Sequence, residues 1–218
     1  TSPSWSTIAG ATSATYDVPS GLTATTEYRR ITNVSYSWNG GTASCESVVT
    51  NTLTVTVNPV PAVTNTLANA VYCNASSVSA IPLTSDVNGT VLAWTNNTTS
   101  IGLAASGTGT IPTFTATNTT NAPVTATITV TPTYTNNGVS CTGTAVTYTI
   151  TVNPTPTVNA VANQSLCAGA NTTAVNFAST LNVAGTTYDW TNSNTNIGLG
   201  ALGNGNIAAF TSTNTTNA

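Results

Sequence analysis

Apolar and polar residues alternate with a period of two along several short stretches of this chain. The clearest are 53–57 (LTVTV), 113–117 (TFTAT), 126–130 (ATITV) and 148–152 (YTITV), with threonine at the polar positions. Such alternation is typical of β-strands that have one face in a core and the other in water. β-Branched threonine also suits a pleated surface. Because no sustained helical periodicity accompanies these stretches, the sequence predicts an all-β protein with essentially no helix.

Asparagine and glycine mark the predicted turns between these strands. Asn137-Gly138 predicts a tight hairpin in which both turn residues have positive φ. Asn39-Gly40, ahead of Cys45, predicts an equivalent hairpin, and Asn88-Gly89 predicts a third.

The chain also repeats itself over a long period. Residues 57–122 recur as 152–218, and Trp94 matches Trp190 at an offset of 96 residues. Solenoid repeats and propeller blades are shorter, whereas one β-sandwich domain has about 100 residues. The repeat therefore predicts tandem immunoglobulin-like β-sandwich domains in an extended array.

Two proline-containing junctions, 57–61 (VNPVP) and 152–156 (VNPTP), each end a strand pattern and predict the domain boundaries. In this scheme residues 60–154 form one complete domain. Residues 1–59 are the C-terminal half of an immunoglobulin-like domain, and 155–218 are the N-terminal half of a further domain. Half-domains leave strand edges and core uncovered, so we expect the polypeptide to continue in both directions. The alternative is that neighbouring molecules complete the halves by strand donation.

Charged residues are almost absent from the composition. They make up 3% of the chain, which has two arginines, no lysine and no histidine, and the formal net charge is −3. Nucleic-acid binding requires clustered cations, so we expect no nucleic-acid partner. No apolar run reaches the roughly 20 residues of a membrane span, so we expect no membrane insertion. Without a histidine base, a Schiff-base lysine or paired carboxylates, we expect no enzyme activity, metal site or cofactor.

Four aromatic residues fall within strand patterns and are predicted to lie in the core: Trp94, Trp190, Phe114 and Phe210. The alternative for the two tryptophans is exposure as platforms for carbohydrate.

Each predicted domain has one early and one late cysteine. In the complete domain we predict a Cys73–Cys141 disulfide, which by the chain-entropy model would stabilise the fold by roughly 4 kcal/mol. This pairing implies an oxidising compartment. Cys45 and Cys167 would then find partners outside the fragment or in a neighbouring molecule. The alternative is a pair of buried free thiols, while dispersed cysteines without a CxxC spacing argue against a metal site.

Six asparagines fit the Asn-X-Ser/Thr acceptor pattern for N-glycosylation: Asn74, Asn88, Asn97, Asn118, Asn171 and Asn214. For a bacterial source, O-linked sugars on outward threonines are the alternative.

The complete domain resembles the PKD-like, immunoglobulin-like repeats of very large cell-surface proteins of Bacteroidota. The residues that carry the resemblance are 101–103 (IGL), 107–109 (GTG), 114–118 (FTATN) and 149–154 (TITVNP). The front segment resembles a sister repeat of the same proteins, through 8–16 (IAGATSATY) and 21–30 (GLTATTEYRR).

This resemblance implies a protein of the gliding-motility adhesin type, exported by the type IX secretion route. The expected location is extracellular or on the bacterial cell surface. The expected function is that of a structural repeat module, a rigid spacer and force-bearing rod in a fibre or adhesin. Its expected partners are neighbouring domains or identical chains in a filament, with surface glycans as a second class. The alternative is a carbohydrate-binding accessory module of a secreted multidomain protein.

Overall fold

The computed structural model describes residues 4–11, 13, 15–47 and 51–216. The predicted end of the repeat, Asn217-Ala218, and two positions of the 8–16 motif lie outside the described residues. The described chain is all-β, with two single 3-10 turns at Thr99–Ile101 and Thr195–Ile197. Among the residues described, the structure has no apolar helix of membrane-spanning length.

The strands, in chain order, are β1 (Thr26–Arg29), β2 (Asn33–Trp38), β3 (Gly41–Glu46), β4 (Thr52–Val55), β5 (Ala70–Cys73), β6 (Ser77–Val78), β7 (Val91–Asn96), β8 (Ser106–Thr108), β9 (Phe114–Thr115), β10 (Val124–Asn136), β11 (Val139–Thr142), β12 (Val146–Asn153), β13 (Asp189–Thr191) and β14 (Leu202–Asn204).

The largest sheet has the strand order β5-β12-β10-β7-β8, and β11 also pairs with β10. β10 is antiparallel to both β12 and β7, whereas β5 is parallel to β12. A short β6–β9 pair and an isolated bridge between Ile81 and Ile111 form a second layer of pairing. Apolar side chains from both layers belong to a single buried cluster, so this part of the chain has one core.

Burial alternates along the long strands as the sequence pattern predicts. Ala126, Ile128 and Val130 of β10 are each 0% exposed, and the threonines between them are half-buried. β12 follows the same rule through Ile150 and Val152. Inward aliphatic side chains and outward hydroxyl groups therefore define which face of the sheet meets the core.

The turn predictions have different outcomes. Asn137 and Gly138 have φ of 49° and 79°, which confirms the tight hairpin between β10 and β11. Asn39-Gly40 connects β2 to β3, with Trp38 paired to Gly41, so the second hairpin is also confirmed. The third is wrong, because Ser85, just before Asn88-Gly89, forms its bridge with Val63.

The chain divides into two compact units, residues 1–60 with 134–141, and residues 61–133 with 142–218. In the first unit β1 pairs with β4 and β2 pairs with β3, both antiparallel. All side chains of β2 and β3 are exposed.

Within the second unit, residues 155–216 reproduce pairings from the earlier part of the same unit. Trp190 pairs with Gly203 across β13 and β14, as Trp94 pairs with Gly107 across β7 and β8. The bridge between Val175 and Ile207 repeats the bridge between Ile81 and Ile111. The repeated sequence thus forms repeated local structure.

Candidate functional site

Residues 155–216 leave uncovered a face that is buried in the preceding repeat. Ile101 is 0% exposed, whereas its counterpart Ile197 is 37% exposed. Trp94 is 3% exposed, whereas Trp190 is only half-buried. The same side chains in the same local pairings therefore meet different surroundings.

An open groove of about 610 Å³ lies along this uncovered face. Its apolar lining includes Leu166, Val175, Ile197, Ile207 and Phe210. Asparagine and threonine side chains, including Asn194 and Thr213, line it as well. We refer to the surface formed by these seven residues as the acceptor face.

In residues 61–153 the corresponding apolar side chains are covered by β10 and β12. Ile101 and Ile111 belong to the same buried cluster as Ile128 of β10 and Ile150 of β12. Within residues 155–216 no strand equivalent to β10 or β12 is present. The acceptor face therefore presents apolar side chains whose counterparts in 61–153 are covered by two strands of alternating threonine and aliphatic residues.

Asn118 shows how closely the two halves of a repeat are joined. Its side-chain Nδ2 donates to the carbonyl of Ala122 at 2.8 Å and to the carbonyl of Val152, in β12, at 2.7 Å. Its Oδ1 accepts from the backbone N–H and the hydroxyl of Thr120. The counterpart Asn214 also accepts from the residue two positions on, Thr216, but it is exposed.

The predicted core aromatics take different positions. Trp94 lies in the core, and Phe114 is half-buried and packs against the core cluster. Trp190 and Phe210 are half-buried, and Phe210 lines the acceptor face. Both indole Nε1 groups are buried without a hydrogen-bond partner among the described residues.

Tyr148, on β12, carries the most perturbed ionisable group. It is 4% exposed, and its hydroxyl has no hydrogen-bond partner in the part of the chain that the structure describes. Burial raises the pKa of Tyr148 to about 12, and the charge of Tyr72 adds to the effect. Because the deprotonated phenolate would lie in an apolar core, the neutral form is favoured.

The predicted Cys73–Cys141 disulfide is not formed in the structure, where all four cysteines are free. Cys73 lies at the end of β5 opposite Asn153, next to the pair formed by Val152 and Val124 at the start of β10. Gly143, two residues after Cys141, donates to the carbonyl of Pro132 instead. The nine residues of extended strand from Val124 to Pro132 span roughly 25 Å. A disulfide requires Cα atoms within about 7 Å, so this pairing is wrong for the folded domain.

Exposure also separates the predicted glycosylation sites. Asn118 is 3% exposed with its amide nitrogen bonded to two carbonyls, so the folded domain has no room for a glycan there. Asn74 is half-buried, and its Oδ1 accepts from the backbone N–H of Asn118. The remaining four acceptor asparagines are exposed: Asn88, Asn97, Asn171 and Asn214.

Exposed aromatic side chains occur in the first unit. Tyr36 and Trp38 occupy alternate positions of β2, and they are 62% and 61% exposed. Trp5 is 36% exposed, and the guanidinium of Arg29 lies over its ring at 4.4 Å from the ring centroid. Sequence analysis gave these residues no role, although period-two aromatic spacing in a strand is a readable signal.

Acidic residues and cysteines do not converge on one site. In the described ranges, no three or more histidine, cysteine, aspartate or glutamate side chains lie together as potential ligands of a metal ion. The expectation that the chain is not an enzyme stays a prediction.

Comparison with protein families gives a match over the first segment of the chain. A family model described as a domain of unknown function (DUF8696) matches residues 1–59, up to the first Val-Asn-Pro junction. No curated protein matches the chain. The first segment is thus similar to a family whose function is itself unknown, and a function for the chain has to be argued from its residues.

Proposed function

We propose that the chain is a structural repeat module of an extracellular fibre or cell-surface adhesin. Its β-sandwich domains follow one another in an array and act as a rigid, force-bearing spacer without catalysis. The observation that carries this proposal is the acceptor face of 155–216, because strands of the β10 and β12 type cover the equivalent face in 61–153. Strands of this type, supplied by a further module, would bury the acceptor face as β10 and β12 bury its counterpart.

The pairing of β5 with β12 supports a mechanical role. These two strands are parallel neighbours, from Ala70 opposite Ile150 to Cys73 opposite Asn153. β5 precedes most of the domain and β12 ends it, so a force along the chain pulls the two strands in opposite directions. The hydrogen bonds between them are then loaded in shear and must break together. Such an arrangement resists force better than one whose bonds open one at a time.

The composition suits a surface that meets an uncontrolled environment. With 3% charged residues, little of the folding free energy depends on exposed ion pairs, which salt would screen. Arg29 and Arg30 are the only basic residues of the sequence, so trypsin-like proteases have few points of attack. Both properties favour long-term persistence outside a cell.

An array experiment tests this proposal. One or two extra copies of residues 60–154 are inserted after Pro154, which preserves each Val-Asn-Pro junction. Small-angle scattering and electron microscopy then measure the maximum dimension of the full chain and of each extended chain. A rod of sandwiches should lengthen by roughly 35–45 Å with each added copy, the length of a strand of about ten residues plus a linker. A maximum dimension that barely changes, as in a collapsed globule, would overturn the proposal.

The alternative function, a carbohydrate-binding accessory module, is favoured by one observation. Tyr36 and Trp38 present two exposed aromatic rings on the same face of β2, and aromatic faces are suited to stacking on sugars. Trp94 is excluded as a platform by its burial. Affinity electrophoresis in gels with soluble polysaccharides would detect retardation of the wild type, lost in a Tyr36→Ala/Trp38→Ala variant and kept in Ser35→Ala. Equal mobility of wild type and double variant in every polysaccharide would remove this alternative.

A further inference from the structure

We propose that successive domains are joined by a disulfide across each Val-Asn-Pro junction, between the early cysteine of one domain and the late cysteine of the next. The inference rests on the proposed function, because it requires domains in series. It assigns Cys73 and Cys141 to two different junctions, which agrees with their separation along β10.

The first junction shows where a late cysteine lies. The Sγ of Cys141 donates to the backbone carbonyl of Asn58 at 3.8 Å. The side chain of Asn58 donates to the carbonyls of Asn136 and Val139, and the amide of Asn136 donates back to its Oδ1 at 2.9 Å. The hairpin of a domain thus binds the asparagine of the preceding junction. The late cysteine of that domain lies beside the carbonyl of this asparagine.

The second junction shows where an early cysteine lies. Cys73 is the register partner of Asn153, the asparagine of the next Val-Asn-Pro sequence. The backbone N–H of Asn74 donates to the carbonyl of Asn153 at 2.8 Å. The hydroxyl of Thr155 donates to the carbonyl of Asn74 at 3.3 Å. At the end of a domain, the residue that follows the early cysteine thus donates its backbone N–H to the carbonyl of the junction asparagine.

Asn58 and Asn153 are equivalent positions of the repeat, so the two halves can be combined at one junction. A single asparagine carbonyl then accepts from the peptide N–H that follows the early cysteine and from the thiol of the late cysteine. The late thiol and the backbone of the early cysteine therefore converge on that oxygen, which makes the two residues candidates for the Cα separation of about 7 Å or less that a disulfide requires. Cys73 is exposed and Cys141 is half-buried, so an oxidant can reach the early thiol first.

The bond forms by two exchange steps with a small-molecule disulfide such as oxidised glutathione. The thiolate of the early cysteine attacks one sulfur of that disulfide, which forms a mixed disulfide and releases one glutathione thiolate. The thiolate of the late cysteine then attacks the early cysteine's sulfur and releases the second glutathione thiolate. The two protein thiols lose two protons and two electrons, and the two glutathione sulfurs take up both electrons.

The junction disulfide accounts for one early and one late cysteine in each domain without requiring these two cysteines to meet. Each domain would carry one cysteine for the junction before it and one for the junction after it. In this sequence Cys73 faces the junction with 155–218, and Cys141 faces the junction with 1–59. A bond at each junction would fix the angle between neighbours and carry load past the proline-containing linker.

The test extends the full chain at its natural repeat point. A copy of residues 123–154 is added directly after Ala218, because Asn217-Ala218 matches Asn121-Ala122. In the first version the original Cys141 is replaced (Cys141→Ser), so the appended copy holds the late cysteine. In the second version Cys141 is kept and the appended cysteine is replaced by serine. Both are oxidised with glutathione disulfide, cleaved at aromatic residues, and mapped by mass spectrometry without reduction.

We expect a crosslink from Cys73 to the appended cysteine in most molecules of the first version. In the second version, the total crosslinking of Cys73 to any cysteine should be less than a tenth of that amount. A Cys73→Ser change in the first version should abolish the crosslink. A Cys73–Cys141 crosslink in the second version, or a Cys73 that stays open to alkylation in the first, would overturn the inference.

Hydrogen exchange of the peptides that contain Trp190, measured in the appended chain, separates this inference from the proposed function. Protection of these peptides with Cys73 still free would refute the junction disulfide and leave the array intact. Unchanged exchange of these peptides together with a free Cys73 would count against both.

Discussion

Gly107 lies directly opposite Trp94 across β7 and β8, and the indole ring covers the glycine. A Cβ atom at position 107 would lie closer to Cζ2 and Cε2 of the ring than van der Waals contact allows, so it would collide with the ring. Gly203 and Trp190 repeat this relationship in β13 and β14. In both repeats the tryptophan ring thus leaves room only for a glycine at the position opposite it.

Replacement of Gly107 by alanine should therefore destabilise the complete domain by about 1–3 kcal/mol, the usual cost of an overpacked core. Trp94 is 3% exposed and belongs to the core cluster, so a shift of its ring would disturb the packed neighbours. Urea-induced unfolding, followed by hydrogen exchange of peptides from β7 and β10, would measure the loss. Ser106→Ala, at the exposed neighbouring position, should change the free energy of unfolding by less than about 0.5 kcal/mol. Equal effects of the two substitutions would contradict the explanation.

Much of the central sheet was predictable from the sequence. The alternation over 126–130 and 148–152 predicts two strands that the structure confirms within β10 and β12. Asn137-Gly138 predicts their nearby hairpin for a local reason, the positive φ of both turn residues. These features depend on residues close in sequence, so a local pattern is sufficient to reveal them.

The features that sequence analysis got wrong depend on register between distant strands. Cys73 lies at one end of the sheet because β5 pairs parallel to β12, and no local pattern specifies that partner. Asn118 satisfies the glycosylation pattern, yet the distant carbonyl of Val152 buries its amide. The acceptor face likewise depends on distant strands, because Ile101 is 0% exposed and Ile197, in the same local sequence, is 37% exposed.

Substitutions of Ile101 and Ile197 compare the stabilisation from a covered side chain with that from its uncovered counterpart on the acceptor face. Ile101→Ala removes a side chain that is 0% exposed, and it should cost about 2–5 kcal/mol. Ile197→Ala, at a side chain 37% exposed, should cost less than about 1.5 kcal/mol, because water already reaches the site. Unfolding free energies from hydrogen exchange of each repeat's own peptides would compare the two. Similar costs would show that Ile197 is already in a complete core.

Tyr148 should make the stability of the complete domain depend on alkaline pH. Its folded pKa of about 12 exceeds the ordinary value of 10.0, so the folded state holds the proton more tightly. Its contribution is fully present below pH 10 and is lost as the pH rises through about 12, where the unfolded state is already deprotonated. A shift of this size corresponds to roughly 3 kcal/mol.

Tyr148→Phe is the matched variant, because it keeps the ring and removes the buried hydroxyl that has no partner among the described residues. At neutral pH it should be neutral or stabilising by up to about 1 kcal/mol. Its unfolding midpoint in urea should fall less steeply than that of the wild type between pH 10 and the folded pKa of about 12. Parallel curves for the two proteins would rule out Tyr148 as the source of the dependence.

Asn118 and Asn214 form the last matched pair. Their comparison separates the stabilisation by the local turn from the stabilisation by the hydrogen bond to β12. Both accept hydrogen bonds from the residue two positions on, but Asn118 also donates to the carbonyl of Val152 in β12. Asn118→Ala leaves that buried carbonyl without this donor and should destabilise the domain by about 2–4 kcal/mol. Asn214→Ala, at an exposed side chain, should cost less than about 1 kcal/mol.

Hydrogen exchange at the end of β12 would report on this hydrogen bond specifically, because Asn118 donates to the carbonyl of Val152 there. In Asn118→Ala the amides of 150–153 should exchange at least tenfold faster, whereas those of 126–130 should change less. Asn118→Asp supplies a control of similar size that keeps the acceptor of the turn but cannot donate, so it should be at least as damaging as alanine. A mild aspartate variant would mean that the turn, rather than the bond to β12, carries the stabilisation.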